Sequence, residues 1–354
     1  MIWERLRGHA DQAAMFRRCV ARERLAHGYL FVGPEGVGKK LFVRLLAQCL
    51  FCTRIDDALL DACGECDSCR QMQAGTHADF LTVNCPEGKS ELPLELLVGS
   101  REHRGRAGLC YELALRPLSS ERKIAVIDDA NKLNQQGANA LLKTLEEPPS
   151  YAMLFLIAEN SHGILPTIRS RCQQVRFGPL PRSDVARLLC DLSLVEDDAE
   201  ADTVAALSDG SMAVAEQLLN PGLRELRGLL YEGLANEQFR PGELSAQVLA
   251  ALDDLGGDTP TQRRHAIWLV RFVVEFYRRA VANLSGQQAE ETNELFRRFG
   301  SRFEPASPAD TGFLLTLADR SLETEQQLDR KAPMAICLEG LFDELGRRLR
   351  VKTC

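Results

Sequence analysis

No uninterrupted apolar run in this 354-residue chain is long enough to cross a bilayer. Its first residues, among them Glu4, Arg5, Arg7, His9 and Asp11, form no apolar signal-peptide core. Both absences make a cytoplasmic location the expectation, with no membrane partner. Positive charge is not in excess either: 43 Lys and Arg stand against 50 Asp and Glu, a formal net charge of −7. A chain so charged does not coat nucleic acid by itself, because that needs a basic surface to displace counterions from phosphates. A local basic face inside an assembly stays open. Internal repeats and low-complexity tracts are missing too, which sets aside solenoids and compositionally biased tails.

What is present is ordinary in bulk, 45% hydrophobic and 26% charged residues, with length enough for two or three domains. Cysteine is the exception, with twelve in the chain. Outside secreted proteins that many cysteines point to metal or to nothing, rather than to disulfides. Cys19, Cys85, Cys110, Cys190, Cys337 and Cys354 are scattered singly and read as core or neutral surface.

Strand-like and helix-like segments alternate in the first half. Apolar runs predict strands over Gly28–Val32 and over residues 123–128, 153–158 and 174–177. Helical spacing predicts helices over 41–51 and 134–145, the latter with Ala138, Leu141, Leu142 and Leu145 on one face and a stop before Pro148-Pro149. Such alternation indicates a parallel α/β sheet. After Gly178-Pro179-Leu180-Pro181 the strand signals cease, and 185–194 and 203–219 read as short helices. From about Arg240 onward the chain reads as helical; over 263–279, Ala266, Leu269, Val270, Val273 and Tyr277 share one face.

The stretch Gly33-Pro34-Glu35-Gly36-Val37-Gly38-Lys39-Lys40 fits the phosphate-loop pattern G-x-x-x-x-G-K-[S/T] at every position but the last. Glycines let backbone N–H groups close around phosphate, and Lys39 reaches its terminal oxygens. The missing hydroxyl is the one that ligates Mg²⁺, and Lys40 brings a positive charge in its place. A second element is Asp128, at the end of the strand run Ile124-Ala125-Val126-Ile127, where an acidic residue holds Mg²⁺. Asp129 follows, a weak candidate for the base that orients water, one methylene shorter than the glutamate usual there. A third is Arg171 in Ile168-Arg169-Ser170-Arg171-Cys172; arginine can reach a phosphoryl group from a neighbouring chain, although alone it reads as solvated surface.

Cys63, Cys66 and Cys69 are spaced C-x-x-C-x-x-C, as tetrahedral zinc requires. For the fourth ligand Cys52 ranks first, Cys49 second and His77 third. Four thiolates leave no open coordination position, so the expected zinc is structural.

Together these elements resemble the bacterial clamp-loader subunits of DNA polymerase III, and among them the delta-prime type. The likeness is carried by the phosphate loop, the four-cysteine module after the next helix, the acidic strand end, Ala138-Asn139-Ala140-Leu141-Leu142-Lys143-Thr144-Leu145-Glu146-Glu147-Pro148-Pro149, and Ser170-Arg171-Cys172. Gln71-Met72-Gln73-Ala74-Gly75-Thr76-His77-Ala78-Asp79 is similar to the segment after the zinc module in that type. These motifs span residues 24–178; beyond them the likeness is looser, though residues 328–345 are similar to the family's C-terminal end.

The resemblance implies an AAA+ P-loop NTPase domain over 1–178 with a zinc module at about 49–70, a helical lid over 179–235 and an all-α collar over 236–354. It implies a hetero-pentamer with gamma/tau and delta subunits, a sliding clamp and primer-template DNA. Gly33, Gly36, Gly38, Lys39, Lys40, Asp128 and the first-sensor candidate Asn160 would contact ATP and Mg²⁺, if the chain binds them. Arg171 would act in trans on a neighbour's ATP.

The family contains motors that hydrolyse ATP and a stator that often does not. Lys40, Asp129 and Ala213, where motors carry a γ-phosphate-sensing arginine, all point to the stator, as does the lack of an extension after the collar. An active gamma-type motor, and a zinc-dependent DNA-binding module with a vestigial ATPase domain, are the rival readings. The segment 92–108, with Arg101, Arg104 and Arg106, reads either as a solvated loop or as a face for DNA or a neighbour.

Overall fold

Five parallel strands, lying side by side as the second, third, fourth, first and fifth of the chain, form the sheet of the first unit, in a computed structural model that describes residues 2–86, 88–285 and 294–353. In chain order the elements are α1 (Ala10–Ala21), β1 (Gly28–Val32), α2 (Lys39–Phe51), α3 (Asp67–Ala74), β2 (Phe80–Val83), α4 (Leu94–Val98), α5 (Leu109–Ala114), β3 (Lys123–Ile127), α6 (Gln135–Glu146), β4 (Ala152–Ala158), α7 (Pro166–Arg169) and β5 (Gln173–Arg176). Helices α8 (Arg182–Asp191), α9 (Asp198–Leu207) and α10 (Met212–Leu219) follow.

The central strands β1, β3 and β4 are apolar at every position but Lys123, the first of β3, because helices cover both faces of the sheet. Along β1, Tyr29 and Phe31 point into one core with Phe16 of α1, Phe42 of α2, Phe155 and Phe177. Leu30 points into the other, with Leu154, Leu156, Ala125, Ile127 and Leu141. Phe16 is fully buried and touches the rings of Tyr29, Phe31, Phe42 and Phe155. Truncating a ring so enclosed costs about 3–5 kcal/mol.

Strand β4 lies between β1 and β3, pairing with both. The phosphate loop after β1 and the acidic pair after β3 therefore leave the same, C-terminal edge of the sheet, one strand apart. Crevices at that edge are where open parallel sheets bind ligands.

Four strands lie where the sequence places them, to within a residue, and Asp128 is the first residue past β3. The edge strand β2 was not expected: it has three partly buried residues, an exposed Thr82 and no continuous apolar run. The stretch 203–219 is two helices rather than one, broken where Asp209 and Gly210 take φ of +51° and +75°. The segment 92–108 holds α4 and a 3-10 turn, Arg101–His103, with Leu92 and Leu97 buried and Arg101, Arg104 and Arg106 exposed. Helix α6 is capped by Asn134, whose side-chain oxygen accepts from the Gly137 N–H at 2.9 Å, and ends at Glu146, ahead of the prolines.

The chain groups into two units, Met1–Glu216 and Gln217–Cys354. The second is helical throughout its described residues: α11 (Pro221–Ala235), α12 (Pro241–Asp254), α13 (Thr259–Leu284), α14 (Glu294–Gly300), α15 (Pro308–Asp329) and α16 (Met334–Thr353). Three helix starts are set by side-chain caps followed by proline: Asn220 accepts from Leu223 N–H at 3.2 Å, Asp258 from Thr261 N–H at 3.1 Å, and Ser307 from Asp310 N–H at 3.4 Å. Ala266, Leu269, Val270, Val273 and Tyr277 are all buried, as their spacing predicts. Phe276 gathers the rings of Tyr231, Tyr277, Phe296 and Phe299 around it. Cys337 is buried, Cys19, Cys85, Cys110 and Cys190 are partly so, and Cys354 lies outside the described residues.

Candidate functional site

The loop between β1 and α2 turns through two left-handed glycines, Gly36 at φ +72° and Gly38 at φ +97°. L side chains rarely adopt these angles, so the turn needs glycine there. Gly33 packs on the Phe177 backbone, leaving no room for a Cβ. His9 braces the loop from below, its Nε2 lying 2.7 Å from the Val37 carbonyl. Lys39 opens α2 and is buried; its Nζ donates to the carbonyls of Gly33 at 2.6 Å and Pro34 at 2.5 Å. Burial pushes its pKa down, against the pull of Glu159, Asp128 and Glu35.

Gly36, Gly38 and Lys39 line a cleft of about 460 Å³, whereas Gly33 is not among its lining residues. Gly36, Gly38, Lys39, Lys40, Asp128 and Asp129 of the expected set line it, as does Ala213; Asn131, Glu159 and Glu216 were not foreseen as its walls. Asn160 is not among the lining residues. Its Oδ1 accepts from the N–H groups of His162 at 3.1 Å and Gly163 at 3.0 Å, which fixes the turn after β4.

Each carboxylate of the acidic pair is bound to a lysine. Lys40 Nζ lies 3.1 Å from Asp128 Oδ2 and 3.1 Å from Asn84 Oδ1. Lys132 Nζ lies 3.3 Å from Asp129 Oδ2. A divalent ion does not fit this donor set: the residue that should bring a hydroxyl brings an ammonium, and that ammonium faces the carboxylate that should hold the ion. Asp129 sits at φ +57°, at the head of the turn Ala130–Lys132.

The start of α10 and the residue before it close on the loop. Ser211 Oγ donates to the Glu35 carbonyl at 2.7 Å, and the Met212 N–H donates to the Gly36 carbonyl at 3.1 Å. A Cβ on Gly36 would run into the Ala213 backbone nitrogen and Ser211 Oγ. Ala213 is therefore packed on the phosphate loop itself.

Cys52, Cys63, Cys66 and Cys69 come together with all four sulfurs within 4.8 Å of one another, an arrangement that can hold a metal ion. Cys52 caps the end of α2, and Cys66 caps the start of α3. Backbone N–H groups point at the sulfurs: Cys63 Sγ accepts from Glu65 at 3.5 Å and Cys66 at 3.3 Å, and Cys52 Sγ accepts from Cys63 at 3.4 Å. Those bonds from Glu65 and Cys66 lower the Cys63 pKa, favouring the thiolate that a metal needs. The lower-ranked candidates are engaged elsewhere. Cys49 is buried in the aromatic core, and burial pushes its thiol far up. His77 stacks on Phe51 at 4.3 Å between ring centroids, and its Nδ1 accepts from the Asp79 N–H at 3.2 Å.

Asp79, two residues on, is a residue the sequence did not single out. Fully buried, it accepts five hydrogen bonds from one turn: Leu118 N–H at 2.7 Å, Ser119 N–H at 2.8 Å and hydroxyl at 3.0 Å, and Ser120 N–H and hydroxyl at 3.0 Å each. Burial raises its pKa, but those donors more than offset it and hold the carboxyl below the usual range.

Arg171 follows the short helix α7 and is partly exposed. Its Nη2 meets Glu146 Oε1 at 2.6 Å, and its Nη1 donates to the Thr167 carbonyl at 3.0 Å. Glu146, the last residue of α6, belongs to the Leu-Glu-Glu-Pro-Pro run, so the geometry joins two motifs that are separate in sequence.

A family model described as "DNA polymerase III, delta subunit" matches residues 8–181. DNA polymerase III subunit delta' of Pseudomonas aeruginosa is 34% identical over 240 residues, covering 68% of this chain and 69% of that protein. The Bacillus subtilis subunit of the same name is 32% identical over 198 residues, 56% of this chain and 54% of that one. A solved structure of a gamma subunit-related protein from Thermotoga maritima covers 96% of this chain and 99% of its own, at 16% identity and a TM-score of 0.45. The chain belongs to the delta-prime family of DNA polymerase III clamp-loader subunits.

Proposed function

We propose that this subunit works in loading the sliding clamp onto primed DNA as a stator: it assembles with gamma/tau and delta subunits and lends Arg171 to a neighbour's ATP, while hydrolysing little itself. The observation that carries the reading is the pairing of both acidic residues of its own cleft with lysines, Asp128 with Lys40 and Asp129 with Lys132. A carboxylate tied to an ammonium is poorly placed to hold a divalent ion or to take a proton from water. Ala213 adds to this, since it brings no charge toward a γ-phosphate from the segment packed on the loop.

Arg171 supports the other half of the reading. Its guanidinium is partly exposed and held by one exposed carboxylate, so a phosphoryl group presented by a neighbour can replace Glu146 as its partner. The four cysteines hold a structural zinc that fastens the 52–69 excursion to the end of α2. Four sulfur ligands leave no position for substrate, and the N–H groups aimed at them suit thiolates.

Steady-state ATPase of the purified chain tests the assignment. A stator shows no turnover above background, with or without Lys39→Ala. Turnover comparable to a gamma subunit, abolished by Lys39→Ala, makes the chain a motor and overturns the reading.

A further inference from the structure

Lys40 stands where phosphate-loop sites supply the hydroxyl ligand of a divalent ion, and Asp128 where they supply its carboxylate. Here the two bind each other. The Lys40 ammonium has one oxygen of Asp128 and one of Asn84, each at 3.1 Å, around it. Carboxylate and amide oxygens are ligands typical of a hard cation, so the chain surrounds its own ammonium with the donors such an ion would recruit. That cation is tethered at the start of α2 and reaches its ligands without loss of translational freedom. A dication entering beside Asp128 would have to displace it and then remain close to its positive charge.

We propose that Lys40 is a resident cation in place of the divalent ion, and that the cleft takes a nucleoside di- or triphosphate in its metal-free form. The remaining parts of a phosphate site are in place for this. Gly36 and Gly38 take the left-handed turns of a phosphate loop, and Lys39 opens the following helix, its ammonium resting on the Gly33 and Pro34 carbonyls that a phosphate would have to replace as its partners. An ammonium has three N–H donors, of which Asp128 and Asn84 engage two, leaving a third for a phosphate oxygen. Glu35, Glu159 and Glu216 also line the cleft and repel a bare polyphosphate, so binding is weak and the ratio between conditions carries the information. This cleft and Arg171 act separately, since Arg171 needs no nucleotide bound here.

The test is titration of the purified full chain with fluorescent ribose-labelled ADP and ATP, once with excess Mg²⁺ and once with EDTA. The wild-type affinities agree within about twofold between the two conditions. Lys40→Thr restores the hydroxyl and frees Asp128, and it binds at least about tenfold more tightly with Mg²⁺ than with EDTA. Lys40→Met supplies neither cation nor ligand and binds at least about tenfold more weakly than wild type in EDTA. Circular dichroism checks that each variant is folded, as expected for a half-exposed side chain. Wild-type binding that needs Mg²⁺, no wild-type binding in either condition, a Lys40→Thr variant indifferent to Mg²⁺, or a Lys40→Met variant that binds like wild type each overturns the proposal. None of these outcomes bears on whether Arg171 acts on a neighbour.

Discussion

Glu146 Oε1 and Arg171 Nη2 are 2.6 Å apart, which ties the last residue of α6 to the arginine that follows α7. Both side chains are substantially exposed, at 49% and 36%. A pair so exposed contributes about 0–1 kcal/mol, because water screens it and both side chains lose freedom in forming it. Glu146→Ala and Arg171→Ala should therefore each shift the urea midpoint of the isolated chain only slightly. A loss of several kcal/mol in either variant would make the pair a structural strut instead of a holder for the arginine.

Asp79→Ala should be far more costly, at roughly 3 kcal/mol, because it leaves the buried donors of Leu118, Ser119 and Ser120 without their acceptor. The pH dependence has a definite sign. The folded carboxyl has a pKa below its unfolded value, so its stabilisation is fully present above the unfolded value and disappears as pH falls through the folded one. The stability gap between wild type and Asp79→Asn should hold steady from about pH 7 to about pH 5 and shrink below about pH 4. Urea unfolding across that range reads it directly.

Gly36→Ala should destabilise the first unit by about 1–3 kcal/mol, since alanine pays for φ +72° and its Cβ collides with Ala213 and Ser211. Because the collision is with the start of α10, hydrogen exchange should quicken at Met212, whose N–H bonds the Gly36 carbonyl. Unchanged protection there would mean that the start of α10 moves together with the loop.

The four cysteines should bind about one zinc per chain, as a closed four-thiolate site does. Cys63→Ser or Cys69→Ser should lose the metal and lower the melting temperature, while Cys49→Ala should keep the metal. Elemental analysis after gel filtration checks the stoichiometry. Retention of zinc by both serine variants would remove these residues from the ligand set.

The phosphate loop, the covered strands and the C-x-x-C-x-x-C run are legible in the sequence because each is written in local order: a fixed spacing, or an unbroken apolar run buried on both faces. Strand β2 is not legible, being short, at the edge and half-exposed. The partners that give the site its character are not local. Lys40 finds Asp128, and Ser211 reaches back to Glu35, only after β4 has inserted between β1 and β3 and the chain has folded over the loop. Glu146 and Asp79 escaped for the same reason: each stands inside a motif whose resemblance was noted, but its bonds go to residues in other elements.

The central claim is that this chain's chemistry lies at a neighbour's nucleotide. It is tested most directly by the DNA-stimulated ATPase of the clamp loader reconstituted with gamma/tau and delta subunits and carrying Arg171→Ala. The complex should assemble normally on gel filtration, and its ATPase should fall by at least about tenfold, as loss of a charge-stabilising arginine requires. An Arg171→Ala complex that hydrolyses ATP and loads clamps like wild type would contradict the account.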